Sequence, residues 1–368
     1  NDCKVNLTVI PWDKYEETYT TALNSGEGPD VGYMYNEMFP TYIDAGAVED
    51  MSSYVTDEDK KEYKYLSNGN MMDGQYGWPL VTGVPFVLYY NEDILNALGE
   101  KAPETWDDFA RICQEATKDT DGDGKVDQYG FACGMNTSDI GAMQILNAYY
   151  YSALWQNGGQ VYNDDLKSVS FADEAGKEAV TWLKGLTSYM NEDFMSLSWS
   201  DAFSNVFGAG KAAFGITRSS QTDGTTFAET YPDLNWNFVT SLKNKDFGTF
   251  GATDCLTLMS ACEDKDLAMD FIKYVTGSEF MTAYHAKCPG AALTESEPYV
   301  GDEKMEKIYT EDKDKWHGIQ AGPCGTQILN QLAADFQGIM SGETSVDEGL
   351  KEAEDYANGL LDEYWANK

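Results

Sequence analysis

Six tryptophans stand where strands or helices are expected to begin or end: Trp12, Trp78, Trp155, Trp199, Trp236 and Trp316. Their polar neighbours at such ends are Asp13, Asn36, Glu37, Thr82, Asp201, Arg218, Asp254 and Gln320. Flat indole faces bury apolar C–H surfaces, while planar amides and carboxylates pair with dense hydroxyls. Together they suit non-covalent capture of an uncharged, polyhydroxylated guest. The competing reading for any single tryptophan is a packed core or lobe-surface residue, and it is favoured for Trp182 and Trp106. Trp182 sits mid-stripe on an amphipathic helix with Ala179, Leu183 and Leu186, and Trp106 belongs to a helix-start motif.

Covalent chemistry has little support in the inventory. The only histidines are His285 and His317, with no H-E-x-x-H, so catalytic zinc lacks ligands. The seven cysteines are odd in number, widely spaced and without C-x-x-C, which signals neither a metal site nor a disulfide framework. Neither G-x-S-x-G nor a P-loop occurs; FGAGK (207–211) follows a helix and precedes a strand, the reverse of the phosphate-cradling order. Acidic pairs are so frequent that no glycosidase-like couple stands out. One string resembles a metal loop: in DTDGDGKVD, Asp119, Asp121, Asp123 and Asp127 with Gly124 mimic the start of a calcium loop. Its twelfth position is Gly130 where an EF-hand needs a bidentate Glu, so an incomplete, structural calcium site is the most it supports. No other cofactor is expected.

The charge balance narrows the partners. With 62 acidic against 25 basic residues the net charge is −37, which repels nucleic acid and anionic membrane surfaces. Arg111 and Arg218 are the only arginines, so an anionic guest would lack its usual partners. Polyamines remain compatible with so much negative charge.

The elements that must position these residues read as α/β. Residues 5–10 are expected to form a strand, and Trp12-Asp13 to open a helix carrying Tyr15, Tyr19, Ala22 and Leu23 that stops at Gly26. VGYMY (31–35) is a strand with Asn36-Glu37 at its carboxyl end, where open α/β sheets place ligands. Pro85–Tyr90 lacks polar alternation, as a strand covered on both faces would, and the pattern suggests a mostly parallel sheet. Thr105 with Asp108 announces a helix to about 117, and further helices are expected near 138–155 and 173–188. Trp199 opens the next helix, and AAFGIT delivers Arg218 at a strand end.

Several strings in order are similar to the maltose-binding-protein-like family of extracellular solute-binding proteins, which feed sugars to ABC importers. They are SGEGPDVGYMYN (25–36), YGWPL through LYYN (76–91), APETWDDF (102–109), the acidic loop at 119–131, FGAGKAAFGI (207–216), FGATDCLTLMS (250–260), DLAMDFIKYVTGSEF (266–280) and SGETSVDEGLKEAEDYAN (341–358). The resemblance spans essentially the whole chain. It implies a two-lobed type II binding fold, each lobe an open mixed or parallel sheet flanked by helices. One lobe would comprise residues 1–91 and 252–307 and the other 92–251 and 308–368, joined by three crossings with the ligand cleft between. Relatives carry another strand and helix ahead of the first one here, so the first lobe is expected to begin one β-α unit late. The resemblance also implies a monomer that hands an oligosaccharide to the importer's membrane permease subunits. It further implies an extracellular location on a Gram-positive surface, a lipid anchor on the precursor and no enzymatic activity. Trp78 and Trp199 match positions that relatives turn toward the cleft. Glu37 resembles their acidic contact, while Met38 replaces a basic residue there. The alternatives are a secreted carbohydrate-active enzyme, or the same fold holding a polyamine or another small solute.

Overall fold

The computed structural model describes residues 3–26, 28–72, 74–136, 143–221 and 225–368. Among the described residues, eleven short strands form two main sheets and two ribbons. β1 (Val31–Tyr35), β4 (Trp78–Thr82) and β10 (Thr253–Leu258) make the first sheet in the order β1-β10-β4. The second has the order β6-β7-β5-β8, from β6 (Tyr129–Ala132), β7 (Ala212–Arg218), β5 (Phe86–Asn91) and β8 (Trp236–Val239). The ribbons are β2 (Asn70–Met71) with β3 (Gly74–Gln75), and β9 (Thr249–Phe250) with β11 (Trp316–His317).

The pairing is mixed, with more antiparallel than parallel contacts. β10 runs antiparallel to both its neighbours, and so does β5; only β6–β7 and β9–β11 are parallel. The apolar run at 85–90 is indeed covered on both faces, with Phe86, Val87, Leu88 and Tyr89 buried. It owes that to its central place between β7 and β8, both antiparallel to it. Its sheet also corrects the expected boundary: β5 pairs with β7 and β8, so the chain has left the first lobe by residue 86, not 91. The switch is made in the three residues between β4 and β5.

The strand expected at 5–10 is absent. Residues 3–11 are irregular, and the alternating Val5, Leu7 and Val9 are 55%, 84% and 81% exposed. An extended run becomes a strand only when a neighbour accepts its ladder, and among the described residues none lies alongside. The helix Tyr15–Ser25 forms as expected and ends on left-handed Gly26, φ 72°. The helix at Trp106–Ala116 starts with the expected capping box between Thr105 and Asp108. Trp106 stacks on Trp182 at 4.1 Å, which bears out the core reading of both. Of the helix expected at 138–155, residues 137–142 lie outside the described set; from Met143 to Gln156 it is helical with a π-type turn at Leu146–Tyr150. The two closing helices are Gly325–Ser341 and Val346–Ala366.

Two groups of buried side chains flank each sheet. Met34, Met38, Phe39 and Cys255 with Tyr15 and Tyr19 fill one side of the first sheet, and Trp78, Leu256, Leu258 and Ile272 the other. The second sheet packs Phe109, Phe131, Phe214 and Leu332 on one face, and Val87, Tyr89, Phe207 and Phe238 on the other. Trp316 lies between the sheets, where the crossings meet. Gly83 (φ 64°) and Gly251 approach its ring so closely that a Cβ would come within 2.9 Å and 2.7 Å of it.

Candidate functional site

The candidate site lies where β1 and β10 of the first sheet come near the end of β7 from the second, close enough for Asp254 and Tyr33 to act on Arg218. Along β1 the even positions Gly32 and Met34 point into the core, which turns Tyr33 and Tyr35 to the other face. The Tyr33 hydroxyl donates to Asp254 on β10, and the Tyr35 hydroxyl donates to Glu16. Tyr33 is itself held from behind, its N–H donating to the Tyr19 hydroxyl at 2.8 Å while its carbonyl accepts from Tyr15. Trp12 completes the wall: its ring centroid lies 5.3 Å from Tyr15 and 6.2 Å from both Tyr33 and Tyr35, and it is 50% exposed.

Opposite stands Arg218, the last residue of β7, in register with Phe86. Its guanidinium carbon lies 5.4 Å from the Trp199 ring centre and 5.5 Å from that of Phe86, and it donates to Gln144 Oε1 at 2.8 Å. Burial lowers the Arg218 pKa, an effect partly offset by the charge of Asp254. Burial pushes Asp254 up to about 6, against the hydrogen bond from Tyr33 and the positive charge of Arg218. Glu37 is pushed up to about 7 by burial, with the Asp254 and Glu16 charges adding to it and its own backbone N–H opposing.

Of the residues expected at the site, Trp12, Asp254, Arg218 and Trp199 belong to this group, and Asn36 and Glu37 follow directly on β1. Trp155 is half-buried nearby in the second lobe, stacked on Tyr151 at 5.4 Å and edge-on to His317 at 5.6 Å. Gln320 uses its Oε1 to accept the Tyr162 N–H at 3.0 Å. Asp201 is exposed and accepts from Ser198 Oγ at 2.7 Å, a helix-capping role. The Asp13 side chain lies outside the described residues.

Four expectations are corrected. Trp78 is 0% exposed, wedged among Met51, Leu66 and Leu256 with the Tyr63 ring edge-on at 5.1 Å, because its place opposite Leu256 at the start of β4 sets it in that buried group. Trp316 is 7% exposed and donates to the Ile308 carbonyl at 3.2 Å, serving the crossings and not the cleft. Trp236 pairs with Asn91, at the opposite end of β5 from Phe86 and Arg218, and is covered by Lys304 at 3.7 Å. Thr82 is 1% exposed beneath the crossing, in register with Thr253. Conversely, Tyr33, Tyr35, Glu16 and Gln144 were not anticipated. The period-two spacing of Tyr33 and Tyr35 just before Asn36 was the available signal for the first two.

In the acidic loop, carboxylate oxygens of Asp119, Asp121 and Asp127 lie within 4.8 Å of one another, without Asp123. Asp119 also accepts the N–H groups of Gly122 and Gly124 at 2.6 Å and 2.7 Å, and Asp127 accepts from Thr120 at 2.8 Å. These bonds hold both carboxyls below the ordinary range.

Two main sheets, each flanked by its own groups of buried side chains and joined by the passage from β4 to β5, make the architecture of a two-lobed binding fold. The chain belongs to the bacterial extracellular solute-binding protein family, whose model matches residues 1–298. A binding protein of Brucella abortus (strain 2308) is 25% identical over 317 residues, covering 82% of this chain and 69% of the relative. The fold is shared with solved structures of low identity. The sugar-binding protein MalE from Xanthomonas citri superposes with a TM-score of 0.78 at 17% identity, covering 98% of this chain and 91% of that one. An ABC substrate-binding protein from Listeria monocytogenes in complex with cycloalternan gives 0.76 at 18% identity, with 97% and 91% covered. A solute-binding protein from Thermotoga lettingae bound with alpha-D-tagatose gives 0.73 at 19%, with 95% and 90% covered.

Proposed function

We propose that this protein captures an oligosaccharide between its lobes by hinge closure and delivers it, unaltered, to the permease subunits of an ABC importer. The observation that supports this most directly is the pairing across one gap of aromatic faces with hydrogen-bonding groups: Trp12, Tyr33, Tyr35 and Trp199 with Asn36, Glu37, Asp254 and Arg218. Rings bury sugar C–H faces and the polar set meets hydroxyls. The sugar cargo of the fold's relatives agrees with it. A guest that bridges both lobes stabilises the closed arrangement by its differential affinity. The protein would work as a monomer outside the cell, tethered by a lipid anchor on its precursor, and no described helix is long and apolar enough to cross a membrane.

The test is a thermal-shift panel of oligosaccharides and polyamines, followed by recovery of the bound compound. Only a ligand preferring the native state raises the melting temperature. An intact sugar recovered after incubation supports the reading. Turnover of a labelled oligosaccharide would instead favour a hydrolase using Asp254 and Glu37, the two carboxylic acids whose pKa values burial raises to about 6 and about 7. We also propose a weak structural calcium site at Asp119, Asp121 and Asp127, whose three carboxylates suit a hard cation completed by water. A melting temperature unchanged at about 10 mM calcium would remove it.

A further inference from the structure

Three carboxylates share the first-lobe wall of the cleft, and they are not equally provided for. Asp254 receives the Tyr33 hydroxyl and feels the charge of Arg218, while Glu16 receives the Tyr35 hydroxyl. Glu37 has neither a hydrogen-bond donor from another residue nor an ion-pair partner among the described residues, and both other acids act on it repulsively. The cleft's one arginine is held by Gln144 between two aromatic rings. Among the described residues, none of the lysine ion pairs reaches Glu16, Glu37 or Asp254.

Two other polar atoms are buried without a partner, Asn36 Oδ1 on the adjoining residue and the Tyr151 hydroxyl. Tyr151 is 0% exposed, and Glu37 is the foremost charge acting on it. The helix Gly325–Ser341 abuts the same spot, since a Cβ on Gly325 would lie 3.4 Å from the Glu37 carbonyl oxygen. Glu37 and Asn36 come from the first lobe, Tyr151 and Gly325 from the second. Buried polar groups are nearly always satisfied, so unpartnered acceptors where the two lobes meet point to what a guest must supply. Here it must supply donors. Asn36 Oδ1 and the Glu37 oxygens can only accept while Glu37 is ionised, and the Tyr151 oxygen can accept as well. A neutral hydroxyl offers one donor and leaves the repulsion among three acids untouched. An ammonium offers three donors and a positive charge.

We propose that the guest is an amine-bearing sugar, an amino sugar or an oligosaccharide containing one, with its protonated nitrogen seated against Glu37, Asn36 Oδ1 and the Tyr151 hydroxyl. This rests on the oligosaccharide reading and sharpens it. The scarcity of arginine argued against an anionic guest, and it is silent about a cationic one.

The experiment uses matched pairs differing only in the nitrogen: glucose with glucosamine, galactose with galactosamine, and their oligomers, screened by thermal shift and then measured by calorimetry on the full chain. The expected result is that the amine-bearing member of the best pair binds about tenfold tighter, the equivalent of one pKa unit of differential interaction. Glu37→Gln should abolish that preference, so that the two members of a pair bind within about threefold of each other, since the charge that distinguishes them is removed. N-acetylating the amine should cancel the preference on the unmodified protein. Equal or weaker binding of the amine overturns this inference and leaves the oligosaccharide reading standing. Binding of a polyamine but of neither sugar series overturns both, as does no binding by any member.

Discussion

At the scale of single residues, two tryptophans that look alike in sequence have opposite roles. Trp78 is enclosed by the first lobe's core, and Trp199 lies against Arg218 at the cleft. Trp78→Ala should therefore cost about 3–5 kcal/mol of stability in denaturant unfolding while the remaining folded protein binds normally. Trp199→Ala should weaken ligand binding by about 1–3 kcal/mol with little loss of stability, by calorimetry and melting respectively. A reversed pattern would show that the walls have been misassigned. The sequence distinguished core from cleft where a helical stripe held Trp182 and a helix-start motif held Trp106, and failed at Trp78, where a five-residue strand presents both faces to buried groups. Glu37 adds a pH signature. Its carboxyl titrates near 4.5 when free and about 7 when folded, so folding binds a proton in that interval. Its contribution is then fully favourable below 4.5 and is lost as pH rises through about 7. The net charge of −37 makes acid stabilising for the whole chain, so the informative quantity is the difference between proteins. Urea midpoints at about pH 5 and about pH 8 should differ less for Glu37→Gln than for the unmodified protein. Identical pH slopes would mean Glu37 does not lose its water on folding.

At the scale of elements, the crossings decide where everything else sits. Gly83 holds φ at 64° while its α-carbon faces the Trp316 ring and Ala291, with a Cβ only 2.9 Å from the indole. Strain and crowding add there, so Gly83→Ala should cost about 1–3 kcal/mol and show as a lowered melting temperature. The same substitution at Gly99, left-handed but in open space, should cost at most about 1 kcal/mol, which separates backbone strain from crowding. Most elements could be seen beforehand because each is local: capping boxes, a left-handed glycine stop, an unbroken apolar run. What could not be seen was partnership. β5 has the composition of a buried central strand, yet nothing within 85–90 says which lobe buries it. Residues 5–10 have an apolar alternation without a neighbour to make them a strand.

At the scale of the whole molecule, the two-lobed plan was legible because many short strings in fixed order are collectively specific. The contacts between lobes were not, since they join residues hundreds of positions apart. One of these tests closure from a site far from any ligand group. Asp44 closes the helix Phe39–Asp44, whose Phe39 and Tyr42 pack in the first lobe's core. Lys368 follows the helix Val346–Ala366, whose Leu350, Ala353 and Leu361 pack in the second lobe's core. Their side chains meet at 2.6 Å, partly exposed at 23% and 46%. A pair this accessible is worth roughly 0.2–1 kcal/mol, too little to hold the fold but enough to tilt an equilibrium between open and closed lobes. If binding requires the closed arrangement, apparent affinity scales with its population. Asp44→Asn should then weaken ligand binding by about two- to fivefold, without touching the cleft and without lowering the melting temperature of the ligand-free protein by more than about a degree. Because salt screens an exposed pair, the gap between the two proteins should narrow as ionic strength rises toward about 1 M. Calorimetry at low and high salt reads this directly. Equal affinities at low salt would mean the Asp44–Lys368 contact does not report on the state that holds the guest, and that closure is governed by the crossings and the cleft alone.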